Sequence, residues 1–173
     1  PVLREVWLNV WYIDEALVTA PMSTFAATGN PADMNIGPRQ RVQLEYKCAA
    51  NSGARLISMY GHFHAHGERF SVWLMRGADK LPIYDSFHWE DIPVYQFDSV
   101  SMNPQPDAAA KRDGAFNGLL KLDAGDEIHF QCEVNNTSDQ TLGFRNETFT
   151  GEMCILFAGY TGANPCTRVT RAN

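Results

Sequence analysis

Three histidines stand at every second position in the stretch YGHFHAHGERF, residues 60–70: His62, His64 and His66. Successive side chains of a β-strand point to opposite faces, so these three share one face with Tyr60 if the stretch is a strand. A row of imidazoles on one face is either a polar outer surface or a metal site. The pattern alone leaves both interpretations open.

The elements that must position these histidines are predicted to be strands almost throughout. Alternating apolar and polar residues, rich in β-branched and aromatic types, are separated at short intervals by Gly, Pro, Asn and Asp. No segment has the periodicity of a convincing amphipathic helix. The pattern predicts an all-β fold, an antiparallel β-sandwich of jelly-roll type, in one domain over residues 1–173. The predicted strands are VWLNVWYI (6–13), RVQLEYKCAA (41–50), RLISMYGHFHAHGERFSVWLMRG (55–77, one long or broken strand), LPIYDSFHW (81–89), VYQFDSVSM (94–102), DEIHFQCEVNN (126–136) and EMCILFAGY (152–160).

The last two of these strands indicate which side chains face the core. The alternation in residues 126–136 assigns one apolar set to the core: Ile128, Phe130, Cys132 and Val134. If Cys132 bonds to Cys154, then Cys154 also points inward, and Met153 lies on the opposite face with Ile155 and Phe157. An outward apolar stripe of this kind would be covered by a ligand, a metal or another domain. In the alternative, both faces of the strand are buried and Met153 is ordinary core filling.

Composition excludes several partners. The chain of 173 residues has 14 basic and 20 acidic side chains, a net charge of −6. Without a basic run, nucleic acid and anionic membrane surfaces are poor partners. No apolar stretch approaches the roughly 20 residues that cross a bilayer, so we expect no membrane span.

The four cysteines are widely spaced, and none lies in a C-x-x-C motif. Four cysteines allow three pairings, and the spacing does not choose among them. The even number fits structural disulfides in an oxidising compartment, and four buried free thiols in a cytosolic protein are the alternative. The cysteines are Cys48, Cys132, Cys154 and Cys166.

Four sequence blocks together resemble one family. Their order and approximate spacing are similar to those of the corresponding blocks in the C-terminal catalytic domain of the copper type II, ascorbate-dependent monooxygenases. The blocks are HFHAHG, YDSFHW, LDAGDEIHFQCEVNN and LGFRNETFTGEMC. This group includes peptidylglycine α-hydroxylating monooxygenase and dopamine β-monooxygenase. The similarity extends over about residues 5 to 166.

The resemblance implies one copper ion per chain, held by His62, His64 and Met153. It places His66 near a third histidine of some relatives, where we expect a supporting or surface role. Tyr60 stands where the peptide-hydroxylating relatives have an arginine that binds a carboxylate, and we expect it beside the ligands.

The resemblance also implies the disulfides Cys132–Cys154 and Cys48–Cys166. These pairings favour an extracellular, periplasmic or lumenal location.

Two departures from the family bear on the function. Ile155 and Phe157 stand where the peptide-hydroxylating relatives have an asparagine and a tyrosine, just after Glu-Met-Cys. This difference disfavours α-amidation and indicates a small, neutral or apolar substrate. We expect Ile155 and Phe157 to form a surface that faces this substrate or another domain. The relatives also carry a second copper, bound by three histidines of a preceding domain, and here only His66, His88 and His129 are left.

The resemblance therefore implies the catalytic half of a monooxygenase, which uses dioxygen and an ascorbate-type reductant and depends on a second copper domain. The alternative is a non-catalytic copper-binding or assembly module of the same fold. A third interpretation is an extracellular β-sandwich with surface histidines.

Overall fold

A computed structural model describes residues 8–18, 21–97 and 119–172. Within these ranges the chain forms twelve strands and two short 3₁₀ helices, at Glu15–Leu17 and Pro31–Asp33. The strands are β1 (Ser23–Thr28), β2 (Arg41–Ala49), β3 (Arg55–His62), β4 (Gly67–Arg76), β5 (Asp79–Ser86), β6 (Tyr95–Gln96), β7 (Leu120–Lys121), β8 (Glu127–Asn135), β9 (Gly143–Phe144), β10 (Gly151–Glu152), β11 (Ile155–Thr161) and β12 (Thr170–Arg171).

Two antiparallel sheets pack together and confirm the predicted all-β sandwich. The first sheet has the order β1-β11-β3-β6, with β7 also paired to β3, and the second has the order β12-β2-β8-β4-β5. A short parallel pair joins β9 to β10. Strands β3 and β11 are neighbours in the first sheet; β3 ends at His62, and β11 begins two residues after Met153.

The core lies between the sheets and follows the alternation of the sequence. Strand β2 buries Leu44, Tyr46 and Cys48 and leaves the intervening side chains more exposed. Strand β8 pairs with it so that Leu44 lies opposite Cys132 and Tyr46 opposite Phe130. The core face predicted for β8 is confirmed, since all four of its apolar residues are fully buried: Ile128, Phe130, Cys132 and Val134.

Both predicted disulfides are present. Cys48 bonds to Cys166 and Cys132 bonds to Cys154, with sequence separations of 118 and 22 residues. The second bridge ties the chain just before β11, in the first sheet, to β8 in the second. Two disulfides fit an oxidising compartment. No helix among the described residues is long and apolar enough to cross a membrane.

The stretch predicted as one long or broken strand is broken, and of the three histidines only His62 lies on a strand. Strand β3 ends at His62, and β4 begins at Gly67 in the opposite sheet. Residues 63–66 therefore form the corner at which the chain crosses between sheets. A corner breaks the period-2 alternation, so the shared strand face ends at His62.

Two further strand predictions hold only in part. Residues 8–13 of the first predicted strand are exposed and pair with no other strand of the described chain. A strand without a hydrogen-bonded neighbour is not stable, whatever its β-propensity. In the segment 94–102, only Tyr95–Gln96 forms a strand, and residues 98–102 lie outside the described ranges.

Candidate metal centre

The structure brings His62, His64 and Met153 to one open pocket. His62 is the last residue of β3, His64 lies in the corner that follows, and Met153 lies between β10 and β11. The pocket has a volume of about 330 Å³. Its lining comprises His62, Phe63, His64, Trp89, Ile92, Asn146, Thr148 and Met153.

The strand register explains why the histidines and the methionine meet. In the antiparallel pair of β3 and β11, Ile155 lies opposite His62 and Phe157 lies opposite Tyr60. Met153 and His64 lie just beyond the last pair of this register, at the end of the ladder where the pocket opens. Directly opposed residues present their side chains on the same face of the sheet. The rings of His62 and His64 are 5.1 Å apart between centroids and nearly perpendicular.

Met153 is more enclosed than the outward stripe in the sequence suggests. It is 7% exposed, whereas Ile155 and Phe157 are partly exposed. It lines the pocket and is not part of the core cluster between the sheets. Met153 therefore belongs to a wall of the pocket.

Loop 145–150 holds the histidine corner in place. The His64 ring nitrogen Nδ1 lies 3.3 Å from the carbonyl oxygen of Gly151. The amide of Ala65 donates to the carbonyl of Thr148 at 3.2 Å, and the His66 Nε2 lies 3.1 Å from the carbonyl oxygen of Phe149. These contacts orient the His64 ring and draw the loop that precedes Met153 against the corner.

The surroundings of His62 and His64 favour the neutral form of both rings. Burial lowers the pKa of His62, and the neighbouring His64 lowers it further. Burial also lowers the pKa of His64, although the hydrogen bond with the Gly151 carbonyl opposes part of this effect. A buried imidazole is desolvated, which disfavours its protonated form. Both side chains therefore keep a lone pair for a ligand or a proton donor.

Glu152 is a buried acid directly before Met153, and sequence analysis did not single it out. It is fully buried, and burial raises the pKa of its carboxyl group to about 7. Its Oε1 accepts hydrogen bonds from the backbone amides of His64 at 2.5 Å and Met153 at 2.8 Å. The only sequence signal was its place in the Glu-Met-Cys motif, which says nothing about what its side chain contacts.

Tyr60 lies close to the pocket but does not line it. It stacks on Phe157 with the ring centroids 5.0 Å apart, and Phe157 contacts the His62 ring edge to face at 6.2 Å. His66, the other predicted supporting residue, points to the Phe149 carbonyl. An apolar patch of Tyr60, Phe157 and Ile155 thus borders His62 on the outer face of the first sheet.

The two remaining histidines do not join the site. The ring nitrogens of His129 lie 3.0 Å from a carboxylate oxygen of Glu45 and 2.9 Å from one of Glu127, on the outer face of the second sheet. His88 lines a separate small cavity of about 150 Å³. Neither side chain lines the pocket formed by His62, His64 and Met153.

Besides Phe63, which lies between the two histidines, four other residues complete the pocket wall, and sequence analysis missed them. Trp89 lies in the block YDSFHW that carried part of the resemblance, and its ring contacts Phe149 edge to face at 5.7 Å. Ile92, Asn146 and Thr148 come from two loops distant in sequence. Trp89, Asn146 and Thr148 lie within the sequence blocks that carried the resemblance, but only the folded chain shows that they line one pocket.

The donor set of the pocket decides which metals fit. Among the residues that the structure describes, no three His, Cys, Asp or Glu side chains come together as a metal-binding group. A metal at this pocket would therefore depend on the thioether of Met153 as well as the two imidazoles. Soft thioether ligands select Cu(I), and imidazole suits both copper oxidation states. The residues present fit copper better than zinc or a hard cation such as calcium.

Comparison with known proteins gives no independent assignment. No protein-family model matches the chain, and a search of curated proteins finds no significant match.

The last strand position before His62 requires a residue without a side chain. A Cβ atom added at Gly61 would lie 2.2 Å from Cγ of Phe70, which is fully buried in β4. The Phe70 ring is itself stacked between Phe63 and Phe130, so it has no room to move aside. Gly61 thus allows the end of β3 to approach the opposite sheet at the histidine corner.

We expect Gly61→Ala to lower the free energy of unfolding by about 1–3 kcal/mol, the usual cost of overpacking a core. The matched control is Gly143→Ala, whose added Cβ would meet only the Arg145 Nε at 3.7 Å. Its change should stay within about 1 kcal/mol. Urea unfolding followed by tryptophan fluorescence measures both variants. Equal stability of Gly61→Ala and the wild-type protein would contradict the close packing of β3 on Phe70.

Proposed function

We propose that this chain binds one copper ion through His62, His64 and Met153 and forms the catalytic half of an ascorbate-dependent copper monooxygenase. The observation that carries this proposal is the convergence of two imidazoles and one thioether on a single open pocket. Met153 is 89 residues from His64 and 91 from His62 in the sequence, and the pairing of β3 with β11 brings the two segments together at the end of the ladder.

The chemistry of the donors supports copper. Copper bound by two imidazoles and a thioether would supply one-electron redox chemistry and dioxygen activation for the hydroxylation of a C–H bond, with electrons from an ascorbate-type reductant. The chain's contribution begins with neutral ligands, because only a neutral imidazole offers a lone pair to a metal. The lowered pKa values of His62 and His64 keep both rings in this form.

The contact between His64 and Gly151 also selects a ring nitrogen. A proton on Nδ1 can be donated to the Gly151 carbonyl oxygen at 3.3 Å, which leaves Nε2 unprotonated. Hydrogen bonds of this kind commonly fix the tautomer and ring orientation of histidine ligands. His64 would therefore bind through Nε2, which has no such backbone contact.

The pocket lining favours a small neutral substrate. In the part of the chain that the structure describes, no Asp, Glu, Lys or Arg side chain lines the pocket. Its polar groups besides the histidines are the amide of Asn146 and the hydroxyl of Thr148, and Trp89 and Ile92 supply apolar walls. A charged substrate would lose its hydration without gaining an ion pair. The volume of about 330 Å³ suits a small molecule.

An apolar surface continues from the pocket along the outer face of the first sheet. Phe157 and Tyr60 border a second cavity of about 310 Å³, whose other walls include Met22 and Phe25. Together with Ile155, they form the surface that the substrate or a second domain would cover. Apolar patches of this kind on an otherwise polar surface commonly mark binding sites.

The electron supply requires a partner. Hydroxylation consumes two electrons for each oxygen atom inserted, and a site that cycles between Cu(I) and Cu(II) supplies one. Among the described residues, His88 and His129 lie outside the pocket and form no second metal group. We therefore infer a partner domain that carries the second copper. The disulfides and the copper chemistry favour an extracellular, periplasmic or lumenal location.

The first prediction concerns stoichiometry and ligands. The protein should bind about one copper ion per chain, and His62→Ala or His64→Ala should abolish this binding because each removes one of three donors. His88→Ala and His129→Ala are the matched controls and should bind as the wild-type protein does. Anomalous diffraction at the copper edge locates the ion. Copper density at His88 or His129, with none at His62, would refute the assignment.

The second prediction concerns the thioether. Met153→Leu keeps the volume but removes the sulfur, so Cu(I) affinity should fall by about tenfold or more, and Cu(II) affinity much less. The control is Met59→Leu, which changes a fully buried methionine of β3 outside the pocket. Competition with chelators specific for each oxidation state measures both affinities. Equal losses for Cu(I) and Cu(II) would show that Met153 is filling rather than a ligand.

The third prediction concerns activity. Copper-loaded chain supplied with ascorbate and dioxygen should form hydrogen peroxide rather than hydroxylated product, because the second electron does not arrive in step with the first. Peroxide and products from a panel of small aromatic and aliphatic substrates are quantified together. Stoichiometric hydroxylation by this chain alone would overturn the half-enzyme proposal. Neither product, with copper bound, would favour a non-catalytic copper-binding or assembly module.

A further inference from the structure

Glu152 is the one side chain in the described structure with hydrogen bonds to the backbones of two proposed ligands. Its Oε1 lies 2.5 Å from the amide nitrogen of His64 and 2.8 Å from that of Met153. The other contacts of the corner, such as Ala65 to Thr148, join residues on either side of these two. One carboxylate oxygen thus fixes the separation of two backbones that the pocket needs close together.

The environment of Glu152 is energetically unfavourable for a carboxylate. The residue is fully buried, and its second oxygen, Oε2, meets no donor in good hydrogen-bond geometry among the described residues; the nearby His66 lowers the pKa of the carboxyl group but only partly offsets its burial. A buried carboxylate with an unpaired oxygen loses hydration that the protein does not replace. If the side chain at position 152 only filled space in the corner, an apolar residue would do so without this loss of hydration. The double hydrogen bond of Oε1 is the contribution that an apolar side chain cannot make.

We propose that Glu152 is a positioning residue that holds His64 and Met153 at the spacing their side chains need to bind one metal ion. This inference rests on the proposed function. The strand register brings the two backbones near each other, but it ends at Ile155 and His62. Beyond that point no ladder hydrogen bond joins the strands, and Glu152 bridges this gap.

The role also explains why Glu152 does not itself need to touch the metal. Side chains that orient metal ligands through hydrogen bonds typically change metal affinity 10–100-fold when they are replaced. The fold has other restraints nearby, including the Cys132–Cys154 disulfide directly after Met153. Loss of the Glu152 contacts should therefore affect the metal site more than the global fold.

The experiment compares three substitutions of Glu152. Glu152→Gln keeps an acceptor oxygen at the same reach, so Cu(I) affinity should stay within about threefold of wild type. Glu152→Leu removes both hydrogen bonds, and Cu(I) affinity should fall by about 10–100-fold. Glu152→Asp shortens the side chain by one methylene and so moves the acceptor oxygen away from the two amides. Its Cu(I) affinity should therefore also fall. This variant tests the proposal if Glu152→Leu does not fold. Competition with a Cu(I)-specific chelator gives the affinities.

Two further measurements separate positioning from stability. Leu74→Ala truncates a fully buried core side chain in β4, outside the pocket, and is the destabilised control. It should lower the melting temperature without changing Cu(I) affinity. The backbone amide resonances of His64 and Met153 in the metal-free protein should move upfield in Glu152→Leu and stay in place in Glu152→Gln. This readout does not depend on copper.

The outcomes distinguish the two proposals. If the wild-type protein binds no Cu(I), the proposed function fails, and the positioning role for a metal fails with it. If the wild-type protein binds Cu(I) and both Glu152→Leu and Glu152→Asp bind it equally well, only the positioning role is refuted. A loss in Glu152→Gln as large as in Glu152→Leu would also refute it, because the acceptor geometry would then be irrelevant.

Discussion

The antiparallel register of β3 and β11 is the constraint on which the candidate site depends. It sets His62 opposite Ile155 and Tyr60 opposite Phe157, which brings the flanking residues His64 and Met153 to the same end of the strand pair. A slip of one residue would turn Met153 toward the core and Cys154 toward the pocket, because side chains alternate. The one irregularity in this pair lies between Gly159 and Tyr160, at the far end from the histidines. The pocket is therefore built at the regular end of the ladder.

Two features oppose such a slip. The Cys132–Cys154 disulfide joins the residue after Met153 to the core face of β8, which fixes Cys154 inward. By loop-entropy arguments, a bridge closing 22 residues contributes about 3 kcal/mol to stability. On the other side of Met153, the carboxylate of Glu152 holds its amide and that of His64. Met153 is thus bounded by a covalent restraint on one side and a polar restraint on the other.

Sequence reasoning correctly predicted the features that depend on the alternation of apolar and polar residues within a strand. It failed at the place where the chain leaves a strand. The sandwich and the core face of β8, with Cys132 on it, follow from period-2 patterns that each strand displays by itself. The corner after His62 does not, because HFHAHG continues the alternation while the backbone crosses to the other sheet. The disulfide pairing came from the family resemblance, since the spacing allowed three arrangements. Glu152 and Trp89 act through contacts across the sequence, which no local pattern encodes.

The position of the pocket at a corner accounts for its chemical character. In a continued strand His64 would have stayed in the first sheet, whereas in the corner its ring lies against the carbonyl of Gly151. At the crossing between sheets the ring is 5% exposed, yet it still faces an open cavity. That partial enclosure is enough to lower the pKa of the imidazole through desolvation. The same enclosure keeps Met153 out of bulk water. A sheltered but accessible group of neutral donors thus arises where β3 ends at His62 and the chain changes sheets.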